Sequence, residues 1–365
     1  MDVNLLIQKE SLKDIFQILK ETYQIIAPVF KNGLVVYSAV EKFDEIAFKK
    51  KDVQASRYYK IDDSSSMFSI SKPVNSLKNF LHPPEFKIMS VKKKNGKLEF
   101  LYEDPEIKYA FFGVPPCDLN ALLILDDVFI NKNDHSDVYY SKIRNNIFII
   151  AYTCINPVDS CFCTSFGYKT EPEKGFDISI TELQDYLLIN VGSEKGMKLM
   201  ENINHRKASI EDIKRKEEIL RSTEKNIKKI DIEKIPDILY KKIDSDFWEK
   251  FNKTCLACTS CTQVCPTCFC FDIVERNDLL SMESHRIAVW DSCFNPSFAT
   301  VHRFNIRESV GSRYRQWLMH KFAYWIDQFG NFGCIGCGRC ITWCPSGIDI
   351  RNEIKQLSEE NDQNR

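Results

Sequence analysis

The sequence predicts an N-terminal domain of mixed α+β or α/β type, followed by a mainly helical domain that is rich in cysteine. Three observations predict this arrangement. A strand-helix-strand pattern lies at residues 109–152, a stretch rich in Lys and Glu lies near residues 206–246, and two cysteine runs of identical spacing follow. We therefore divide the chain into an α/β domain at residues 1–205, a charged helical connector at 206–246, a cysteine-rich domain at 247–355 and a polar tail at 356–365.

The two cysteine runs carry the strongest chemical signal in the chain. Each reads C-x2-C-x2-C-x3-C-P, and bacterial-type ferredoxins hold 4Fe-4S clusters with this spacing. In those proteins the fourth cysteine of each run ligates the cluster of the other run. The first predicted cluster therefore has the ligands Cys255, Cys258, Cys261 and Cys344, and the second has the ligands Cys334, Cys337, Cys340 and Cys265. The alternative is two four-cysteine zinc sites, although these prefer two CxxC pairs that lie well apart.

The spacing of the cysteines has a physical reason. Three thiolates that are two residues apart can surround one face of a cluster only if the backbone curls tightly and turns its N-H groups toward the sulfur atoms. Gly336 and Gly338 suit such a curl in the second run, because glycine adopts positive φ without steric cost. The first run has Ala257, Thr259 and Ser260 in the same loop, so the residues there predict its geometry less well.

A β-α-β unit is predicted in the N-terminal domain. Tyr109–Val114 and Asn146–Tyr152 are apolar strands, and Asp118 is a candidate cap for a helix between them. Both strands of such a unit end at the same edge of the sheet, where ligands collect. Four cysteines follow the two strand ends and are expected to converge: Cys117, Cys154, Cys161 and Cys163. They predict either a third cluster or a structural zinc site, whereas the simpler interpretation is a set of buried or free thiols.

The first part of the chain gives weaker signals. Apolar residues at helical spacing predict a helix over residues 1 to about 30, and Gly33–Tyr37 is a predicted strand after a turn. No secretory signal is recognisable at the N-terminus, and no apolar run approaches the ~20 residues that a membrane helix needs. These features, together with clustered cysteines that favour metal ligation in a reducing compartment, predict a cytoplasmic protein without membrane insertion.

Composition excludes some partners. With 50 basic and 51 acidic residues the net charge is -1, so there is no bulk attraction to nucleic acid or to an anionic membrane. Between the two cysteine runs, helical periodicity at Gly311–Lys321 predicts that helices bridge the clusters. Cys268, Cys270 and Cys293 also lie there, and their interpretation is open between a structural role and redox-active thiols.

Several sequence stretches, taken together and in this order, resemble a known family of iron-sulfur subunits. The stretches are Gly113-Val-Pro-Pro-Cys117-Asp-Leu-Asn-Ala-Leu, Tyr152-Thr-Cys154, Cys161-Phe-Cys163-Thr-Ser-Phe-Gly167, Cys265-Pro-Thr-Cys268-Phe-Cys270-Phe-Asp, Trp290-Asp-Ser-Cys293 and Cys334-Ile-Gly-Cys337-Gly-Arg-Cys340. The family includes the beta subunit of sulfhydrogenases, which are group 3 nickel-iron hydrogenases, and the iron-sulfur subunit of anaerobic sulfite reductase. One departure is Pro115, where the family usually has a basic residue.

The resemblance implies a function and a ligand set. Cys117, Cys154, Cys161 and Cys163 look like the ligands of a third 4Fe-4S cluster in this family. The chain would be an electron-transfer component of a cytoplasmic oxidoreductase. It would pass electrons between a subunit that handles flavin and NAD(P)H and a nickel-iron hydrogenase module or, as the alternative, the other subunits of a sulfite reductase. The stretch Tyr186–Gly196 looks more like the hydrogenase branch.

Two other interpretations belong to different classes of protein. In the first, the chain is an enzyme that reduces a sulfur or thiol substrate with its own Cys268, Cys270 or Cys293. In the second, it is a zinc-stabilised assembly protein without redox activity. No nucleotide-binding fingerprint is present in the sequence, which fits a subunit that leaves substrate chemistry to its partners.

Overall fold

The computed structural model describes residues 3–278 and 280–359. The strands are β1 (Val3–Gln8), β2 (Gln24–Lys31), β3 (Leu34–Ala39), β4 (Lys50–Ala55), β5 (Tyr58–Asp63), β6 (Glu85–Lys94), β7 (Lys97–Tyr102), β8 (Tyr109–Val114), β9 (Phe148–Tyr152), β10 (Ile178–Glu182), β11 (Tyr186–Val191), β12 (Arg206–Lys207), β13 (Phe271–Asp278), β14 (Glu283–Trp290), β15 (Thr300–Val301) and β16 (Phe304–Asn305). The helices are α1 (Ser11–Lys20), α2 (Lys78–Leu81), α3 (Pro116–Asp126), α4 (Val138–Asn145), α5 (Glu194–Met200), α6 (Ile210–Glu224), α7 (Ile235–Lys241), α8 (Phe251–Thr254), α9 (Ser260–Gln263), α10 (Val310–Met319), α11 (Trp325–Phe329), α12 (Arg339–Thr342) and α13 (Ile350–Glu359).

The N-terminal part is built on an eight-stranded mixed sheet with the order β12-β1-β11-β10-β9-β8-β2-β3. The predicted β-α-β unit is present as β8, α3 and β9, and β8 and β9 pair in parallel. Apolar side chains pack on both faces of the sheet, with α1 and α5 on one face and α3 and α4 on the other. Because β8 and β9 are buried on both faces, they read in the sequence as nearly continuous apolar runs.

The prediction of one helix over the first thirty residues is wrong. Residues 3–31 form β1, α1 and β2 instead. The reason is visible in the apolar pattern, because Leu5, Leu6 and Ile7 are consecutive and all buried, as in a strand covered on both faces. Only α1 has true helical spacing, with Leu12, Ile15, Phe16 and Leu19 on its buried face.

The segment between the two cysteine runs is only partly helical. Helix α10 continues through a wide π-helical turn at His320–Tyr324 into α11, as the periodicity there predicts. Before it, however, β13 and β14 form a hairpin that the local sequence pattern does not predict. The hairpin joins β6 and β7 in a four-stranded sheet of order β13-β14-β6-β7. Its pairing partner β6 lies almost two hundred residues earlier, so local periodicity carries little sign of it.

The connector contains helices α6 and α7 after the short strand β12, and the C-terminal helix is longer than predicted. Helix α6 begins with a capping box in which Ser209 and Asp212 bond each other's backbone N-H. Helix α13 extends to Glu359, four residues into the predicted polar tail. Ile350, Ile354 and Leu357 continue one buried face along it. The remainder of that predicted tail, residues 360–365, lies outside the described residues.

The helices are short and mostly amphipathic. Over residues 3–278 and 280–359, no helix has both the length and the apolar composition that crossing a membrane requires.

Candidate cluster sites

The first predicted ligand set lines one cavity, which we call site one (Cys255, Cys258, Cys261 and Cys344). Phe294, Tyr314 and Trp317 form part of the wall of this cavity. Cys258 is exposed, whereas the other three cysteines are partly buried. Site one therefore has an apolar wall and one side that reaches the protein surface. The structure brings together the cysteines that the crossed ligand pattern predicts.

The loops of the two cysteine runs have the same backbone conformation although their residues differ. Gly336 and Gly338 have φ of 67° and 72°, and the equivalent Ala257 and Thr259 have φ of 50° and 64°. In each loop a backbone N-H points at the first cysteine: Ala257 N lies 3.4 Å from Cys255 Sγ, and Gly336 N lies 3.4 Å from Cys334 Sγ. Backbone donors aimed at sulfur are typical of cluster-binding loops. The first loop therefore adopts the required curl even without glycine.

The second ligand set, which we call site two (Cys334, Cys337, Cys340 and Cys265), is also assembled. Cys334, Cys337 and Cys340 each lie within electrostatic reach of Cys265. Burial raises the pKa of the Cys334 thiol to about 12. A thiolate at this position therefore requires a compensating cation or metal.

Lys321 supplies positive charge beside site two. Its side chain is buried, and its Nζ donates hydrogen bonds to Thr267 Oγ1 at 2.9 Å and to Gly333 O at 3.0 Å. Burial by itself lowers the pKa of the Lys321 ammonium, but the Cys265, Cys268 and Cys334 thiolates together raise that pKa above its ordinary value. Lys321 is thus a cation at neutral pH and stabilises negative charge at site two.

The four N-terminal cysteines also converge, at what we call site three (Cys117, Cys154, Cys161 and Cys163). They line one small cavity at the edge of the sheet where β8 and β9 end. Buried Lys72 lies in its wall, and Lys72 Nζ donates to Cys161 Sγ at 3.3 Å. Burial raises the pKa of Cys163 to about 12. Site three thus repeats the features of site two, namely four thiols and one buried ammonium.

Sites one, two and three adjoin one another. Cys340 of site two also lines the cavity of site one, and Cys337 also lines the cavity of site three. The loop of the second run packs directly on the site three loop, where Phe162 N donates to Gly336 O at 2.8 Å. A Cβ on Gly338 would lie 2.0 Å from Ser160 O. Glycine is therefore needed at this position for close packing as well as for its positive φ.

Asp118 has a different role from the predicted one. Pro115, rather than Asp118, occupies the N-cap of α3. The Asp118 side chain forms an ion pair with Arg339 at 2.8 Å, and both side chains are fully buried. Arg339 also donates to Pro73 O at 2.9 Å. The pair joins the residue after Cys117 to the loop between Cys337 and Cys340, so it fixes site three against site two.

In the described part of the chain, no group of three or more His, Cys, Asp or Glu side chains is arranged to hold a single ion. The residues present fit 4Fe-4S clusters, because each site offers four cysteines, together with backbone N-H groups or a buried ammonium. The sequence pattern identifies the twelve cysteines. It does not identify Lys72, Lys321 or Arg339 as part of these sites.

These features define an iron-sulfur protein, and comparison with known proteins agrees. A family model described as a 4Fe-4S dicluster domain matches residues 254–348. The chain is 30% identical over 359 residues to Sulfhydrogenase 2 subunit beta of Pyrococcus furiosus, and the alignment covers 97% of each chain. The chain therefore belongs to the sulfhydrogenase beta subunit family, as the sequence stretches predicted, and it is an iron-sulfur subunit for electron transfer.

Proposed function

We propose that this chain carries electrons between a flavin subunit that handles NAD(P)H and a nickel-iron hydrogenase module, within a cytoplasmic complex of the sulfhydrogenase type. The similarity to a sulfhydrogenase beta subunit over nearly the whole chain supports the type of complex. The observation that carries the proposal is that sites one, two and three adjoin one another in a row. Clusters bound at adjoining sites can pass electrons from one to the next.

In this proposal each site holds one 4Fe-4S cluster through its four cysteines. Such a cluster, when bound, supplies a one-electron carrier whose potential depends on net charge, hydrogen bonds to sulfur and solvent exposure. The chain controls these variables with its own residues. Ala257 N and Gly336 N donate toward thiolate sulfur, and Lys72 and Lys321 place buried positive charge beside sites three and two.

The two ends of the row are suited to contact with partners. At site one, Cys258 is exposed and Leu256 is 68% exposed. At site three, exposed Lys169 lines the cavity. Site two lies between them, where its cysteines are partly or fully buried. We therefore propose that one redox partner docks at site one and the other at site three.

Paired serine substitutions test each of the three sites, because the iron content of each variant is compared with that of the parent protein. Iron, acid-labile sulfide and zinc are counted on anaerobically purified protein. Loss of about four irons and four sulfides per chain is expected for each pair. The pairs are Cys255→Ser with Cys258→Ser, Cys334→Ser with Cys337→Ser, and Cys154→Ser with Cys163→Ser. Thr164→Ser is the control at site three, because it alters the residue beside Cys163 and keeps every thiol. An unchanged iron content in the third pair would reduce the proposal to two clusters, and zinc in place of iron would overturn it.

Assays on the purified chain alone test whether it transfers electrons without converting a substrate. Dithionite is expected to bleach the cluster absorbance, whereas hydrogen, sulfite and polysulfide are not turned over. Reduction by NAD(P)H should require the flavin partner to be added. Turnover of a sulfur substrate by the chain alone would favour the enzymatic alternative. Productive coupling to sulfite-reducing subunits, without coupling to a hydrogenase, would favour the sulfite reductase alternative.

A further inference from the structure

Three cysteines lie outside sites one, two and three, and the fold brings them to one place. Cys268 and Cys270 directly precede β13, and Cys293 follows the end of β14 by three residues. The two strands pair from Phe271 with Trp290 onward. The pairing continues beyond the strands, because Asp291 N donates to Cys270 O at 2.9 Å. The antiparallel hairpin therefore returns the chain so that Cys293 meets Cys270 at its base.

The pairing at the base of the hairpin brings the segments that carry these cysteines together, and the thiols are close enough to interact electrostatically. Cys293 interacts with Cys270, and Cys270 interacts with Cys268. The Cys293 backbone N-H lies near the Cys270 sulfur and acts to lower the pKa of that thiol. The Cys268 thiol interacts with Cys265, which belongs to site two. The group of three cysteines therefore adjoins site two.

A buried ammonium accompanies this group. The Lys78 side chain on α2 is 3% exposed. Its Nζ donates to Cys268 O at 3.0 Å and lies 3.8 Å from the ring centre of Trp290. Among the residues that the structure describes, Lys78 forms no ion pair with Asp or Glu. Burial lowers the pKa of its ammonium to about 8, and the thiolates of Cys268, Cys265 and Cys270 only partly oppose this effect. A buried cation without a carboxylate is costly unless another anion compensates its charge.

The other buried lysines show what such an ammonium accompanies in this protein. Lys72 lies against Cys161 of site three, and Lys321 lies against Cys265 of site two. In both cases the ammonium faces four thiols that would carry a negatively charged cluster. Lys78 is likewise buried beside cysteines, through its hydrogen bond to the backbone oxygen of Cys268 and its electrostatic interaction with Cys270. An anionic, thiolate-bound group at Cys268, Cys270 and Cys293 would explain why Lys78 is buried without a carboxylate partner.

We propose that Cys268, Cys270 and Cys293 hold a fourth iron-sulfur cluster at the base of the β13-β14 hairpin, with Lys78 as its buried counter-ion. Three thiols give up their protons to become ligands, and one iron is left to a ligand other than cysteine. The Asp291 carboxylate, which is within electrostatic reach of Cys270, is available for that position. The inference concerns the content of this site and holds whether or not the chain's partner is a hydrogenase.

Iron and sulfide counts test the fourth cluster directly. The double variant Cys270→Ser with Cys293→Ser is expected to lose about four irons and four sulfides per chain, roughly a quarter of a parent content of about sixteen irons. The control Ala288→Ser places one hydroxyl at a buried position of the same hairpin and leaves all thiols in place. It is expected to keep the full iron content. Unchanged iron in the double variant, or loss of one zinc instead, would overturn the proposal.

A second measurement avoids variants that fail to fold. Mössbauer spectra of ⁵⁷Fe-labelled parent protein, scaled to protein concentration, should account for about sixteen irons per chain. About twelve irons, together with a loss of about four in the Cys154→Ser with Cys163→Ser variant, would overturn the proposal, because sites one, two and three would then account for all of the iron. Lys78→Met should lower the reduction potential of one EPR signal and leave the iron content unchanged, whereas Lys78→Arg should retain the parent potential. If both variants kept every potential unchanged, the assignment of Lys78 as counter-ion would be wrong.

Discussion

The buried Lys72 ammonium lies directly against a sulfur atom of site three. Burial lowers its pKa, but the Cys161 thiolate opposes this effect and the pKa lies above its ordinary value. The side chain is therefore an ammonium at neutral pH. Lys72→Met removes this charge at similar length. A unit charge about 6 Å away at an effective dielectric constant of about 20 changes the potential of a one-electron carrier by roughly 100 mV, so we expect a decrease of that order.

A redox titration followed by EPR measures this change, and Lys72→Arg is the matched control because it keeps the charge. We expect iron content to be equal in both variants, so that the potential alone reports the charge. A Met variant with full iron content and an unchanged site three potential would show that Lys72 does not act electrostatically there.

Sequence reasoning found the cysteines of the sites but not the lysines, and the reason is physical. The cysteine spacing is local, because each loop must curl around one face of a cluster within a few residues. The contact between Lys72 and Cys161 joins residues that are 89 positions apart, and Lys72 precedes Pro73, where the sequence pattern indicates only a break. Its burial follows from tertiary packing, which leaves no periodic signal in the sequence.

At the scale of the element, the loop before α12 depends on glycine for two reasons. Gly338 has φ of 72°, and its Cα lies so close to the site three loop that an added Cβ would be 2.0 Å from Ser160 O. Gly338→Ala is therefore expected to separate the two loops and to lower the iron content of sites two and three. Gly330→Ala is the matched control, since Gly330 has φ of 73° and no atom within 4 Å of the added Cβ.

The control should cost only the left-handed strain, about 1–2 kcal/mol, and should keep its iron. Iron analysis and anaerobic denaturation of both variants make the comparison. Equal iron content and equal stability in the two variants would show that loop contact does not matter and that φ alone explains the glycine.

The first cysteine loop allows the opposite change. Thr259 has φ of 64°, a conformation that is strained for a β-branched residue and free of strain for glycine. Thr259→Gly should therefore raise the free energy of unfolding by about 1 kcal/mol, after the larger chain entropy of glycine is subtracted. The denaturation midpoint of the anaerobic protein measures the effect. A lower midpoint would mean that contacts of the Thr259 side chain outweigh the strain.

Helices and strands can be predicted from the sequence where their apolar pattern is local. They are missed where a strand pairs with a partner that is distant in the sequence. The unit β8-α3-β9 was predicted because its strands are apolar and lie close together in the chain. The β13-β14 hairpin was missed because β13 is largely exposed and β14 owes its buried positions, Ile287 and Ala288, to pairing with β6. Similarly, the sequence pattern of β1 indicates a helix, because the strand it pairs with, β11, is distant in the sequence.

At the scale of the whole molecule, the N-terminal and C-terminal halves of the chain contribute to the same sheet and the same hydrophobic core. The β13-β14 hairpin completes a sheet begun by β6 and β7. Trp325 and Ile335 from the C-terminal half are buried in the core cluster beneath α3. The fully buried pair of Arg339 with Asp118 also crosses between the halves. The predicted domain at residues 247–355 therefore differs from a small ferredoxin, which folds around its clusters alone.

Because the C-terminal half depends on contacts with the N-terminal half, we expect that it does not fold by itself. In a fragment of residues 247–365, β14 loses its partner strand and Arg339 loses its carboxylate, and an unpaired buried charge alone costs about 3–5 kcal/mol. That is a large part of the roughly 5–15 kcal/mol that typically stabilises a folded domain. We expect the fragment expressed alone to aggregate, and co-expression with residues 1–246 to restore a soluble complex with the parent iron content. Size-exclusion chromatography with iron analysis distinguishes the outcomes, and co-expression controls for the chain break itself. A monomeric fragment that keeps its iron, about eight from sites one and two and about four more from the proposed fourth cluster, would show instead that this region folds independently and only later docks against the N-terminal sheet.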